Sequence, residues 1–245
     1  HVVTDRAALH AAVQKAVAVA TRGAAMLAFG IVANRPETGY GYVQQGADHT
    51  DGASLIASFA EKPDAVTAQA YLDRGDYLWN SGLFLVRASV WLQALHICRP
   101  DILEACRAAM HRAVRDLDFV RPDATVFAAC PSDSIDYAVM ERLPARPELG
   151  IAACVVPMDA GWSDLGAWDA LWDVLPRDAQ NNATVGEAVL HGSSDSMVFA
   201  SSRLVAGIGL HNIVVVETPD AVLVVEKSQT QSVKHIVARL KADGH

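Results

Sequence analysis

The sequence reads as an α/β chain with a smaller β-rich domain behind it, and three observations carry that reading. Ala8, Leu9, Ala12, Val13, Ala16 and Val17 repeat at helical spacing and lead directly into the continuous apolar run 24–32. A helix set between strand-like segments is the pattern of an α/β sheet, and an unbroken apolar run is what a strand buried on both faces requires. Beyond the polar stretch Asp178-Ala179-Gln180-Asn181-Asn182 the texture changes to short, Val-rich runs with turns between them. The boundary is placed there, with residues 1–177 as the α/β core and 178–245 as the β-rich domain.

Thr4 stands where the cap of the first helix belongs, with Asp5 favourable near its positive end, and Gly23 marks the stop. Residues 34–41, rich in Pro and Gly, form a loop. Residues 55–60 read as a short strand closed by Pro63, 64–74 as a helix and 77–87 as mainly strand. Helices follow over 90–98 and 101–114, split by Pro100. Residues 134–142 read as a short helix capped by Ser132 or Ser134, 150–157 as a strand, and 162–175 as a helix with the stripe Leu165, Trp168, Leu171, Trp172 and Leu175. In the second domain the runs 185–190, 197–200, 204–208, 213–217 and 221–225 are strands. Thr218-Pro219-Asp220 joins the last two, as a hairpin or as one coil of a β-solenoid. An amphipathic helix from Ser228, with Val233, Ile236, Val237 and Leu240 on its apolar face, closes the chain and stops at Gly244.

Composition narrows the function. Apolar residues make up 51% of the chain, enough for a real core. The net charge of −8 argues against a nucleic-acid partner. A nucleotide substrate stays open, because a few cations and backbone N–H groups suffice to bind one. No run approaches the roughly 18 apolar residues of a bilayer span, and the N-terminus lacks the order of a signal peptide. No membrane partner and a cytoplasmic location are therefore expected. Cys98, Cys106, Cys130 and Cys154 form no C-x-x-C pair, so they read as small core residues in a reduced compartment. The scattered histidines read as surface or core residues.

Five stretches put glycines, aromatics and polar groups where a core does not want them. In Pro36-Glu37-Thr38-Gly39-Tyr40-Gly41-Tyr42 the glycines admit close approach of a ligand, and the tyrosines offer flat faces to a sugar or base; the alternative is a loop entering a strand. Phe59-Ala60-Glu61-Lys62-Pro63 delivers an acid and a base at a strand end, Glu61 to accept from sugar hydroxyls and Lys62 to bind phosphate; the alternative is an exposed ion pair. In Trp79-Asn80-Ser81-Gly82-Leu83-Phe84, Asn80 offers both a donor and an acceptor, and Gly82 suggests a bulge or close backbone approach. In Ser134-Ile135-Asp136-Tyr137-Ala138-Val139-Met140-Glu141, Asp136 lies in the first helical turn, where a structural role and a site role are equally open. In Gly161-Trp162-Ser163-Asp164-Leu165-Gly166, Asp164 is placed either to cap a helix or to hold Mg²⁺, a cation that takes one or two carboxylates plus phosphate oxygens.

In this order, the five stretches resemble bacterial mannose-1-phosphate guanylyltransferases, in particular the long type with a mannose-6-phosphate isomerase module behind the transferase. Ala200-Ser201-Ser202-Arg203-Leu204-Val205 and Val214-Val215-Val216-Glu217-Thr218-Pro219-Asp220-Ala221 resemble the segment joining the two modules. The resemblance implies a nucleotidyltransferase (Rossmann-like, mixed-sheet) core with a small β-helix-like domain. It implies transfer of GMP from GTP to α-D-mannose 1-phosphate, giving GDP-mannose and pyrophosphate with the help of Mg²⁺. By the same resemblance Glu61 holds mannose hydroxyls and Lys62 the sugar phosphate, with Lys62 and Asp164 as the catalytic pair. Asn80 and the Gly39-Tyr40 backbone line the sugar pocket, Asp136 also contributes to it, and Asp164 ligates Mg²⁺.

The family's Gly-rich triphosphate loop has no match here, and the histidine of its metal-binding Asp-His pair falls at His1. The core is therefore expected to be truncated at its N-terminus and inactive by itself, and the missing strands are expected to leave a sheet edge that invites a homo-oligomer. Two other readings are a related hexose-1-phosphate nucleotidylyltransferase and a non-catalytic sugar-phosphate-binding or assembly module, for which the amphipathic end helix speaks.

Overall fold

The apolar run expected to form a doubly buried strand is β1 (Ala25–Val32) in the computed structural model, which describes residues 1–244. Its side chains alternate between two apolar clusters. Ala25, Leu27, Phe29 and Ile31 enter one, Met26 and Ala28 the other. That alternation is the period of two imposed by strand geometry. The chain divides into two compact units, Val3–Trp162 and the segment from Ser163 onward together with His1–Val2.

In the first unit, α1 (Arg6–Arg22) is capped by Asp5, whose side chain accepts from the Ala8 N–H at 2.9 Å. The cap is thus one residue later than Thr4, whose N–H donates instead to Ala160 O. After β1 come β2 (Tyr42–Asp48), β3 (Ser54–Ala60), α2 (Ala65–Arg74, capped by Asp64) and β4 (Tyr77–Val86). Then follow α3 (Ala88–Cys98) and α4 (Pro100–His111), separated at Arg99, with Pro100 in the first turn where a missing N–H costs nothing. Sequence periodicity carries α4 to residue 114, but the helix ends at His111. A small exposed hairpin follows, β5 (Val114–Asp116) and β6 (Phe119–Arg121), turning at Leu117 with φ 54°. After the short α5 (Ala124–Ala128) and one helical turn at Asp136–Met140, β7 (Ala152–Pro157) completes the sheet.

Strand β1 pairs in parallel with β7 and antiparallel with β4. The order β1–β4–β2–β3–β7 closes on itself where Ser54 and Leu55 of β3 meet Val155 and Cys154 of β7. Among the described residues of the first unit this closure gives both edge strands of the sheet a partner, where an open edge was expected. Residues of α1 and α2 cover one face, and those of α3, α4 and the Asp136–Met140 turn cover the other. All four cysteines are free. Cys98 and Cys154 are core residues as expected, with burial pushing the Cys154 thiol up to about 11, whereas Cys106 and Cys130 are only half-buried.

The second unit contains α6 (Trp168–Val174), β8 (Ala183–Val185), β9 (Ala188–His191), β10 (Met197–Ala200), β11 (Val205–Ile208), β12 (Ile213–Glu217), β13 (Val222–Glu226) and α7 (Val233–Ala242). Strands β8, β10 and β12 stack in parallel, as do β9 and β11, while β13 returns antiparallel to β12. The coil is thus β-helix-like, and the Thr218-Pro219-Asp220 turn makes a hairpin. The sequence assigns α6 to the first domain. In the structure Trp168, Leu171, Trp172 and Leu175 pack on Ala183, Met197, Val214 and Val216, so α6 belongs to the core of the β-rich unit. The polar stretch 178–182 is part of that unit too. Asp178 accepts from the N–H groups of Gln180 and Asn182, and buried Asn182 bonds Ser193 O and the Ser196 N–H. Helix α7 buries none of its residues. Among the described residues no helix is long and apolar enough to cross a membrane.

Glu217, on β12, is buried and bound by the Ser202 hydroxyl (2.6 Å), the Ser202 N–H (2.9 Å) and the Arg203 N–H (3.2 Å). These bonds, the Ser202 hydroxyl first, hold its carboxyl down at about 2, against an ordinary 4.5. A depressed carboxylate stabilises the fold above its unfolded value, and that stabilisation is lost as pH falls toward the folded one. Urea unfolding followed between pH 5 and 2 is expected to show the β-rich unit weakening across this window. In Glu217→Gln that portion of the pH dependence is expected to disappear.

Candidate functional site

The glycine-rich loop, the end of β3 and the bulge of β4 come together because the backbone ties them. Asn80 N–H donates to Gly41 O at 2.8 Å, Lys62 N–H donates to Tyr40 O at 3.2 Å, and Tyr42 pairs with both Ala60 and Trp79. On β4, Ala28 faces Phe84 and Gly30 faces Asn80, so Ser81, Gly82 and Leu83 stand against Phe29 alone. This is the bulge that Gly82 suggests in the sequence, with Gly82 at φ 69° and the Ser81 hydroxyl donating to Phe29 O at 2.7 Å. Gly41 also leaves room for its neighbours in the chain. A Cβ there would run into the Glu61 carboxylate and come within 3.2 Å of Asn80 Cβ.

Glu61 and Lys62 form the corner where β3 ends. Lys62 adopts φ 50°, a left-handed conformation that costs a non-glycine residue on the order of 1–3 kcal/mol. The reversal brings both side chains to one side, and Lys62 Nζ lies 2.9 Å from Glu61 Oε1. The Glu61 side chain is only 9% exposed and that of Lys62 60% exposed, so an enclosed carboxylate carries an ammonium that reaches solvent. The bond to Glu61 raises the Lys62 ammonium above its usual range, against partial desolvation, with Tyr137 and Asp136 adding to the rise. Lys62 therefore stays cationic across the neutral range.

Asn80 is buried, and both ends of its amide are engaged. Nδ2 donates to Asp136 Oδ1 at 2.9 Å, and Oδ1 accepts from the Gly82 N–H at 3.1 Å. Asp136 opens the turn packed behind the strands. Glu141, at the end of that turn, accepts the Glu61 N–H at 3.3 Å. Nothing in the sequence gives Glu141 a role, and a spacing of five from Asp136 matches no face of an α-helix. Glu61, Lys62, Asn80, Asp136 and Glu141 thus form one hydrogen-bonded cluster in the first unit.

The loop contributes through its backbone. Gly39 N–H donates to Glu37 Oε1 at 3.0 Å, and Tyr40 O takes the Lys62 N–H. The tyrosine rings do not offer free faces. Tyr42 is fully buried, and Tyr40 is wedged edge-on against Trp79 (5.3 Å) and Trp162 (5.5 Å). Burial pushes the Tyr42 phenol up, with the Trp79 N–H working against it.

Asp164 lies in the second unit. Its Oδ1 accepts from the Gly166 N–H at 2.9 Å, closing a tight turn, and Ala167, not Asp164, occupies the cap position of α6. Among the described residues no group of three His, Cys, Asp or Glu side chains is gathered as a ready metal site.

The comparisons agree with this architecture. The nucleotidyl transferase family profile matches residues 1–181, and the chain belongs to that family. A second profile, described as a MannoseP isomerase/GMP-like β-helix domain, matches residues 186–240. Within the family the likeness is narrow. The chain is 46% identical to the mannose-1-phosphate guanylyltransferase of Escherichia coli (strain K12), an alignment that covers all of this chain and 50% of that protein. It is 46% identical to the alginate biosynthesis protein AlgA of Pseudomonas syringae pv. tomato, over 100% of this chain and 49% of the relative. The crystal structure of a protein named mannose-1-phosphate geranyltransferase, from Thermus thermophilus, superposes with a TM-score of 0.81 at 30% identity, covering 98% of this chain and 67% of that one. The chain spans about half the length of the curated relatives it matches.

Asn80→Ala would remove the donor that holds Asp136. Urea denaturation is expected to show a loss of about 1–3 kcal/mol, because a partly buried carboxylate is left without its bond. Adding Asp136→Ala to Asn80→Ala is expected to cost clearly less than the two single losses summed.

Proposed function

We propose that this chain supplies the sugar-phosphate-binding part of a mannose-1-phosphate guanylyltransferase, which transfers GMP from GTP to α-D-mannose 1-phosphate and releases pyrophosphate. The observation that carries the reading is the Glu61–Lys62 corner. It pairs an enclosed acceptor for sugar hydroxyls with an exposed cation for a phosphate, and Asn80 and Asp136 are locked beside it.

In this reading Lys62 binds the sugar phosphate as a point charge, and Glu61 accepts from the mannose hydroxyls. Asn80, Asp136 and the Gly39-Tyr40 backbone shape the wall around the sugar. An oxygen of the held phosphate attacks the α-phosphorus of GTP, the new P–O bond forms as the bond to pyrophosphate breaks, and the electron pair leaves with pyrophosphate. The contribution of these residues is positioning and charge compensation, which is what such displacements demand.

Asp164 is the residue of this chain proposed to hold Mg²⁺. One carboxylate matches a cation that takes one or two carboxylates and completes its shell with phosphate oxygens and water. When bound, the ion would offset phosphate charge. A cytoplasmic setting and a place in polysaccharide precursor synthesis complete the proposal.

Calorimetric titration of the 245-residue chain with α-D-mannose 1-phosphate tests the reading. Saturable binding is expected, weaker for glucose 1-phosphate, and Lys62→Ala is expected to lose about tenfold or more in affinity, or about 1.4 kcal/mol. An unchanged affinity in Lys62→Ala, or a wild-type chain that ignores the ligand, would overturn it.

A further inference from the structure

The turn that follows Ser134 is wider than an α-helix. Its closing bond runs from the Glu141 N–H to Asp136 O, at 2.9 Å, spanning five residues instead of four. At 3.6 residues per turn, side chains five apart point roughly 140° away from each other. An i→i+5 ring turns less per residue and swings them toward the same side. Such wide turns are rare and concentrate at functional sites. Here Asp136 and Glu141 are the two carboxylates at the ends of the ring. Both are used on the strands in front of it, Asp136 on Asn80 Nδ2 and Glu141 on the Glu61 N–H. Ala138, Val139 and Met140 between them are buried in the core, which anchors the turn. Ser134 fixes its start, with its carbonyl accepting from Ala138 N–H at 2.8 Å and its hydroxyl from Tyr137 N–H at 3.4 Å.

The corner it meets is under backbone strain. Lys62 sits at φ 50° without being glycine, so the conformation persists only if neighbouring bonds hold it. Two backbone N–H groups do so. The Lys62 N–H is held by Tyr40 O, and the Glu61 N–H by the Glu141 carboxylate. We propose that Glu141 is a positioning residue: the wide turn aims its carboxylate at the Glu61 N–H, and this fixes the Glu61–Lys62 corner in the geometry that receives a sugar phosphate. The inference rests on the reading of that corner given above. Glu141 itself need touch no substrate, and its charge is not the requirement. An acceptor oxygen at that position is.

The test uses wild type, Glu141→Ala, Glu141→Gln, which keeps an acceptor oxygen at full reach, and Glu141→Asp, which keeps the charge but falls short by one methylene. Amide hydrogen exchange of the 59–63 segment is measured on the free chain, and mannose 1-phosphate affinity is measured by titration. Glu141→Ala and Glu141→Asp are expected to exchange faster at Glu61 and to bind about tenfold more weakly, the scale of a lost hydrogen bond. Glu141→Gln is expected to restore both to near wild type. If Glu141→Ala does not fold, the Asp and Gln variants carry the same contrast. Unchanged exchange at Glu61 in the Ala or Asp variant would overturn the positioning role without reference to any ligand. So would a loosened corner with undiminished affinity. A wild-type chain that does not bind mannose 1-phosphate would sink the sugar-phosphate reading instead, and the exchange data would still decide whether Glu141 holds the corner.

Discussion

From Ala25 to Ile31 strand β1 has no face toward solvent, and the first unit is organised by that constraint. A strand buried on both sides needs backbone partners on both edges and an apolar layer above and below, or its polar groups and side chains are stranded. Strands β4 and β7 supply the edges. Residues from α1 and α2 supply one layer, and residues from α3, α4 and the 136–140 turn supply the other. The same division runs through the neighbouring strands, where Cys154 and Val156 enter one cluster and Ala153 and Val155 the other. Closure of the sheet through β3 and β7 follows, since it removes edges that would otherwise be left bare.

The candidate site sits where this arrangement is locally broken. Three residues of β4 bulge against Phe29, β3 ends in a left-handed lysine, and the turn behind them is one residue too wide. Each is an irregularity with a cost, and each is held by a specific bond: Ser81 to Phe29 O, Lys62 N–H to Tyr40 O, and Glu61 N–H to Glu141. The electrostatics fit the same frame. Glu61 is enclosed and compensated by its own neighbour Lys62, and Asp136 is met by an amide donor on Asn80. The side chains of the cluster are thus held by contacts within the chain itself.

The β-rich unit is held by a different balance. Its apolar core is small, and buried polar side chains close its coils. Asn182 reaches Ser193 and Ser196, and Glu217 gathers the Ser202–Arg203 turn. Two cations lie over the Trp172 ring, Lys227 Nζ 3.3 Å and Arg177 4.5 Å from its centroid, while its own N–H donates to Asn181 O. Polar residues that look like a linker in the sequence are thus the closures of a solenoid, where side-chain bonds replace the missing depth of core.

Local signals determined much of this protein. The apolar run of β1, the stop of α1 at Gly23, the helix over 64–74, the bulge at Gly82 and the change to Val-rich coils after residue 178 all follow from propensity and period, which act over a few residues. Glu61, Lys62, Asn80 and Asp136 were also singled out in the sequence, each weakly by itself and together through the order of the stretches that hold them. What the tertiary structure alone decided is what depends on contacts between distant segments. The attachment of α6 to the second unit rests on Trp168 and Trp172 meeting strands that come later in the chain. The burial of the Tyr40 and Tyr42 rings follows from their meeting Trp79, Trp162 and the sheet. The part played by Glu141 exists only because a core-packed turn widened by one residue, a geometry that 3.6-residue periodicity cannot announce and that long-range packing imposes.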